Sequence, residues 1–180
     1  MLKTIKNKYG HYVLNKEYKN KRKSIKFMNL NDAQSIGIIF NASKKENMDF
    51  IINFVKEIKN SSKEIKLLGF INNKQQDNFY NKFVYCDFFN LKDINWYGKP
   101  QKEKITDFIN TNFDILIDLN LDDITSLDFV LVSSQAKFKV GKLNKTKNNY
   151  YDLSLDIPEE KSVLYMIEQT KIYLKMIKTN

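Results

Sequence analysis

The chain has one cysteine, one histidine, five glycines and two prolines among its 180 residues. A lone cysteine excludes an internal disulfide framework and any multi-cysteine metal knuckle. A lone histidine excludes the paired-histidine zinc motifs. So little Gly and Pro excludes collagen-like and linker-like chains. No run approaches the ~18 apolar residues that a bilayer span needs, so no membrane span is expected. Residues 1–6 are basic, but no apolar stretch follows them, so no secretory signal is expected either. With one cysteine, a reducing cytoplasm is the expected location. The glycine-rich nucleotide loops are also missing. The first apolar run is followed by Asn41-Ala42-Ser43-Lys44, where a phosphate-binding loop would need Gly to bring backbone N–H groups close to the ligand.

What is present is charge, unevenly placed. The chain carries a formal charge of +9. Residues 1–30 hold Lys3, Lys6, Lys8, Lys16, Lys19, Lys21, Arg22, Lys23 and Lys26 against one acid, Glu17, while residues 31–180 are close to balance. A cationic surplus confined to one segment suggests a polyanionic partner, a nucleic acid or an anionic surface. The plainer reading is a solvated basic face in a lysine-rich chain. Leu2, Ile5, Tyr9, Tyr12 and Val13 recur at three- and four-residue spacings, which predicts a helix with these side chains on one face. Gly10 weakens the middle of that helix by about 1 kcal/mol relative to Ala.

The rest of the chain alternates strand and helix signals. Residues 35–40 form an apolar, β-branched run. Ser43 with Glu46 reads as a capping box, and Met48, Ile51, Ile52, Val55 and Ile58 keep helical period up to the Asn60-Ser61-Ser62 break. A second apolar strand is expected over 65–70, a short helix within 72–81 and a third strand at 83–86. Residues 92–100 read as a loop around Trp96, 102–112 as a helix, and 113–119 as the strongest strand, apolar on both faces as a central parallel strand is. Asp122 and Asp123 are expected to cap or pre-charge a helix running to Ser133. Short strands follow at 137–142 and 150–155. The final helix is expected to enter at 156–160 and to end near Lys175.

Strand–helix–strand order with short links implies parallel pairing through right-handed crossovers. The expected fold is a three-layer α/β sandwich with a mostly parallel, Rossmann-like sheet: residues 31–180 as one domain, preceded by a basic helical arm over 1–30. Ligands of such folds sit beyond the carboxyl ends of the strands, here at Asn41–Ser43, 70–73, 120–123 and 141–145.

Catalytic chemistry is sparse. Cys86 lies in an aromatic run where a buried, inert thiol is the default. His11 is the sole imidazole and lies in the arm. Asp118, near the end of the central strand, stands where catalytic acids sit in α/β folds, and its alternative is a carboxylate bonded to loop amides. No cofactor is expected. Trp96, beside Tyr97 and Lys99, could stack on a base or close the rim of the core. Ser134, Lys137 and Lys139 offer a hydroxyl and two ammoniums that could cradle a phosphate, or else end a helix and start a strand. Asn41 and Ser43 could bind an anion.

The segments Asp93-Ile94-Asn95-Trp96-Tyr97-Gly98-Lys99-Pro100, Phe113 to Leu119, Ser134 to Gly141 and Tyr151-Asp152-Leu153 occur in this order. Together they resemble a domain family of unknown function found in Bacteroidota-type bacteria, which implies a cytoplasmic bacterial protein and carries over no catalytic residue. Residues 113–141 are also similar to the N-terminal half of heptosyltransferase-like glycosyltransferases.

The leading expectation is a non-catalytic binding module whose arm contacts RNA, with ribosomal RNA as one candidate, through Lys16, Lys19, Lys21, Arg22, Lys23 and Lys26. The alternatives are a small-molecule site for a nucleotide or sugar phosphate at Asn41, Ser43, Trp96, Asp118, Ser134, Lys137 and Lys139, and a protein–protein adaptor using exposed aromatics.

Overall fold

A computed structural model describes residues 2–19, 25–60, 62–144 and 150–178. Among the described residues six strands form one sheet: β1 Ser35–Asn41, β2 Glu64–Ile71, β3 Cys86–Asn90, β4 Ile115–Asp118, β5 Phe138–Lys142 and β6 Leu153–Leu155. Their order is β3-β2-β1-β4-β5-β6 and every pairing is parallel. This is the doubly wound arrangement, with the order reversing between β1 and β4. The helices are α1 Leu2–Lys19, α2 Met48–Ile58, α3 Glu103–Asn110, α4 Thr125–Ser133 and α5 Val163–Met176.

The two faces of the sheet build two cores. Ile36, Ile38 and Phe40 of β1, with Ile115 and Ile117 of β4, pack under α2 and α5. Ile39 and Leu116, pointing the other way, pack with Phe113 under α1, α3 and α4. Successive strand side chains alternate faces, so strands buried on both sides must be apolar throughout, and β4 is buried at every position.

α4 explains where α1 goes. Residues Ser126 to Val132 are all buried, the polar Ser126 and Asp128 among them, and a helix buried all round needs cover on every side. The sheet covers one side of α4 and α1 covers another. α1 docks through Gly10 and the fully buried Leu14, with Val13 and Tyr18 beside them. The stripe expected from periodicity is therefore rotated. Tyr9 and Tyr12, read as part of the packing face, are exposed, and the side chains of Leu2 and Ile5 lie outside the described residues. A Cβ on Gly10 would come within 2.7 Å of the Tyr97 carbonyl oxygen, so the glycine lets helix and loop touch.

Several boundaries differ from expectation. Ser43 does not cap the following helix: its hydroxyl accepts from the Asn72 N–H at 2.7 Å, tying the loop after β1 to the end of β2. A 3-10 turn, Lys45–Asn47, precedes α2 in its place. The expected helix within 72–81 is a 3-10 turn at Asn78–Lys82. β3 starts at Cys86 rather than Phe83, with Val84 and Tyr85 in solvent. α5 begins seven residues beyond the expected entrance at Asp156, capped by Ser162, whose hydroxyl accepts from Tyr165 N–H at 3.3 Å. Among the described residues, no helix is long and apolar enough to cross a membrane.

Candidate functional site

The loop after β3 is built from its own polar groups. The Asn95 side-chain oxygen accepts from the N–H groups of Tyr97 (3.1 Å) and Lys99 (2.9 Å). Asp93 accepts from Asn90 N–H at 2.9 Å and pairs with Lys102 at 2.7 Å. Ile94 and Pro100 bridge the base of the loop. The tip so fixed presents Trp96, 55% exposed, against α1. Its ring stacks on Tyr9 with centroids 4.9 Å apart and meets Tyr97 edge-on at 5.2 Å. Tyr12, 64% exposed, lies 6.4 Å from Tyr9.

Lys8, Tyr12, Lys16 and Lys19 follow spacings of four, four and three, which places them along one side of a helix. All four are exposed. Among the described residues, no carboxylate pairs with these three lysines. Glu17, the arm's one acid, turns inward: it accepts from Lys99 Nζ at 2.5 Å and from Ser133 Oγ at 3.2 Å. Asn15 adds a further tie, accepting from the Tyr150 hydroxyl at 3.0 Å. The acid that could have quenched the lysine row thus clamps the helix to the body. The result is a wet face of α1 with aromatic rings along one margin and ammonium groups beside them. Lys26 is exposed as well. Lys21, Arg22 and Lys23 lie outside the described residues.

The remaining predicted residues separate into two groups at opposite ends of the strands. At the carboxyl ends, Asn41 donates to Asp122 at 3.1 Å, and Lys44 pairs with the same carboxylate at 2.8 Å. The Lys44 ammonium holds the Asp122 carboxyl below its ordinary range against the opposing effect of burial, with help from Asn41. Asp122 therefore latches the β1–β4 crevice rather than capping α4, and the space left there is about 10 Å3, about the room one water needs. Asp123 accepts from the Asn144 side chain at 2.7 Å, and neither acid caps α4.

Asp118, 1% exposed, accepts from the Tyr151 hydroxyl at 2.7 Å, from the Asn120 N–H at 3.0 Å and from the Asn120 side-chain amide. Burial and the nearby Asp118 push the Tyr151 phenol well above its ordinary value, so Tyr151 stays a donor to the carboxylate. The Tyr151 ring lies on Gly141, where a Cβ would come within 2.3 Å of it.

At the amino ends, Lys137 pairs with Asp114 at 2.8 Å. Lys139 donates to the Leu131 carbonyl at 2.6 Å, at the end of α4. The Ser134 hydroxyl accepts from Ala136 N–H at 3.1 Å. Lys139 thus ties β5 to α4, Lys137 ties the start of β5 to the start of β4, and Ser134 fixes the turn between α4 and β5; none of the three bonds to Asn41, Ser43 or Asp118. Asp114 and Asp118 are four residues apart along one strand, about 13 Å. Cys86 packs on the α2–α5 face, while α1, which carries His11, packs on the other. Burial drives the Cys86 thiol well above its ordinary value.

Sequence reasoning placed Tyr9 and Tyr12 on the packing face and left Lys8 out of the expected contact set; all three are exposed. A partial signal was there: Leu127, Phe129, Val130, Leu131 and Val132 leave α4 with no wholly polar face, and α1, in covering one side of it, turns Tyr12 and the lysine row outward. Neither a curated protein nor a solved structure matches the chain. A family model matches residues 6–177, taking in α1's docking face, the Trp96 loop and all six strands, and on that match the chain belongs to DUF6913, a family of unknown function.

Proposed function

We propose that the protein is a single-stranded RNA-binding module whose contact surface is the outer face of α1 together with the Trp96 loop. The observation that carries this reading is the exposed Tyr9–Trp96 stack and Tyr12 set beside Lys8, Lys16 and Lys19 on one helix side. Aromatic faces receive unpaired bases with about 1–3 kcal/mol per stacked base, whatever the base is. Lysines beside them take the phosphates, which gives affinity without sequence reading. The arrangement suits a flexible single strand better than a duplex, because a duplex keeps its base faces stacked inside.

The test is fluorescence anisotropy with a labelled uridine oligonucleotide across a salt series. Each phosphate contact adds about 0.7 to the slope of log affinity against log salt for a single strand. Replacing Lys8, Lys16 and Lys19 by Ala should flatten that slope by about 2. Trp96→Ala and Tyr12→Ala should weaken binding while leaving the slope in place. Point variants are needed because deleting α1 would uncover α4 and take Leu14 out of the core. Wild-type affinity in the triple-lysine variant would sink the reading.

A further inference from the structure

A second basic feature lies on the far face of the sheet. At the amino-terminal pole, a cleft of about 250 Å3 is lined by Lys59, Lys63, Lys175, Asn31, Asn60 and Glu57. It sits where α2 and α5 both end. Lys63 is 8% exposed, and its ammonium donates to the Leu30 carbonyl at 2.6 Å. An ammonium has three N–H donors, so that one bond leaves capacity for another acceptor. Burial pulls the Lys63 pKa below the ordinary lysine value; Asp32 counters this and Lys175 adds to it. Lys175 therefore lies close enough to Lys63 for the two ammoniums to repel. The one acid in the lining, Glu57, is already held by Lys171 at 2.8 Å.

Lysines thus outnumber acids around the cleft; Asp32 offsets the burial of Lys63 only in part, and a buried charge stays costly until opposite charge meets it in full. The carbonyl ends of α2 and α5 favour cations there, which keeps the lysines gathered without removing their mutual repulsion. We infer that this cleft binds a small anion of the phosphate class, with Lys63 and Lys175 as its direct partners. The site does not rest on the RNA reading: α1 packs on the opposite face of the sheet.

The experiment is thermal unfolding of the full chain in inorganic phosphate, with chloride adjusted to hold ionic strength constant. Once phosphate exceeds its Kd about a hundredfold, Tm should rise by about 7 °C. Lys63→Met and Lys175→Met should each abolish the rise, and Lys16→Ala should keep it. If Lys63→Met fails to fold, Lys175→Met decides, since Lys175 is exposed at the end of its helix. A uridine homopolymer at equal phosphate concentration separates the two sources of the group. Stabilisation by the polymer that Lys175→Met removes assigns the cleft to an RNA backbone phosphate, and stabilisation by free phosphate alone assigns it to a small ligand. No rise in the wild type, or an equal rise in both methionine variants, overturns the inference.

Discussion

Gly10 shows how a local preference yields to a contact. In isolation, alanine is the better helix residue by about 1 kcal/mol. Here the added methyl would press on the Tyr97 backbone oxygen at 2.7 Å, and a backbone atom cannot swing aside as a side chain can. Forcing one carbon into such a contact costs about 1–3 kcal/mol. Gly10→Ala should therefore destabilise the protein by about 1 kcal/mol, read as a lower urea midpoint at unchanged slope. A midpoint at or above wild type would mean that α1 can shift without loss. Nothing around Gly10 in the chain marks it as a contact residue, because Tyr97 is 87 positions away. The sequence shows a helix with a weak centre, and only the tertiary neighbour explains why the weakness is kept.

At the scale of elements, one ion pair joins the starts of three strands. Asp114, just before β4, accepts from the N–H groups of Gln34 (2.9 Å) and Ser35 (3.1 Å) at the start of β1, and from Lys137 just before β5. Burial alone would raise the Asp114 pKa, but the Lys137 ammonium and the two backbone amides outweigh it, so the carboxyl ends below its ordinary value. A depressed carboxyl stabilises the fold above its unfolded pKa, near 3.9, and that stability disappears as pH falls through the folded value. Stability should therefore fall from about pH 4 downward, and Asp114→Asn should flatten that decline while lowering stability at neutral pH. Urea midpoints across pH 3–7 for both proteins measure this, and identical acid limbs would remove Asp114 from the account. The elements themselves were largely legible. The apolar run at 35–40, the helical period over 48–58 and the apolar run at 113–119, within which β4 forms as Ile115–Asp118, mark these elements in the sequence. The polar stretches were not: Ser43, Asp122 and Lys137 have ordinary local roles open to them, and their actual partners come from other strands. A capping box and a cross-strand tie look the same in one dimension.

At the scale of the whole molecule, α1 belongs to the same packed unit as the strands. Its buried Leu14, its Glu17–Lys99 pair and its Asn15–Tyr150 bond all reach the body. Trp96 is the only tryptophan and sits on the seam between helix and loop, so its emission reports docking while far-UV dichroism reports the fold as a whole. The two urea transitions should coincide, the mark of a single cooperative unit. An earlier tryptophan transition would show α1 peeling away on its own. The charge asymmetry was plain in the composition, but its direction was not. Which side of α1 faces water depends on α4, more than a hundred residues later, and only that choice sets lysine and aromatic side by side.

The same long reach bears on how the chain is made. Glu17 meets Ser133, and Asn15 meets Tyr150, across separations of 116 and 135 residues. At about 5–20 residues added per second, α1 leaves the ribosome on the order of ten seconds before its last partners exist. Through that interval Leu14 and the rest of its apolar side stand uncovered on a nascent polypeptide, and a chaperone or the ribosomal surface would meet them before the protein's own interior does.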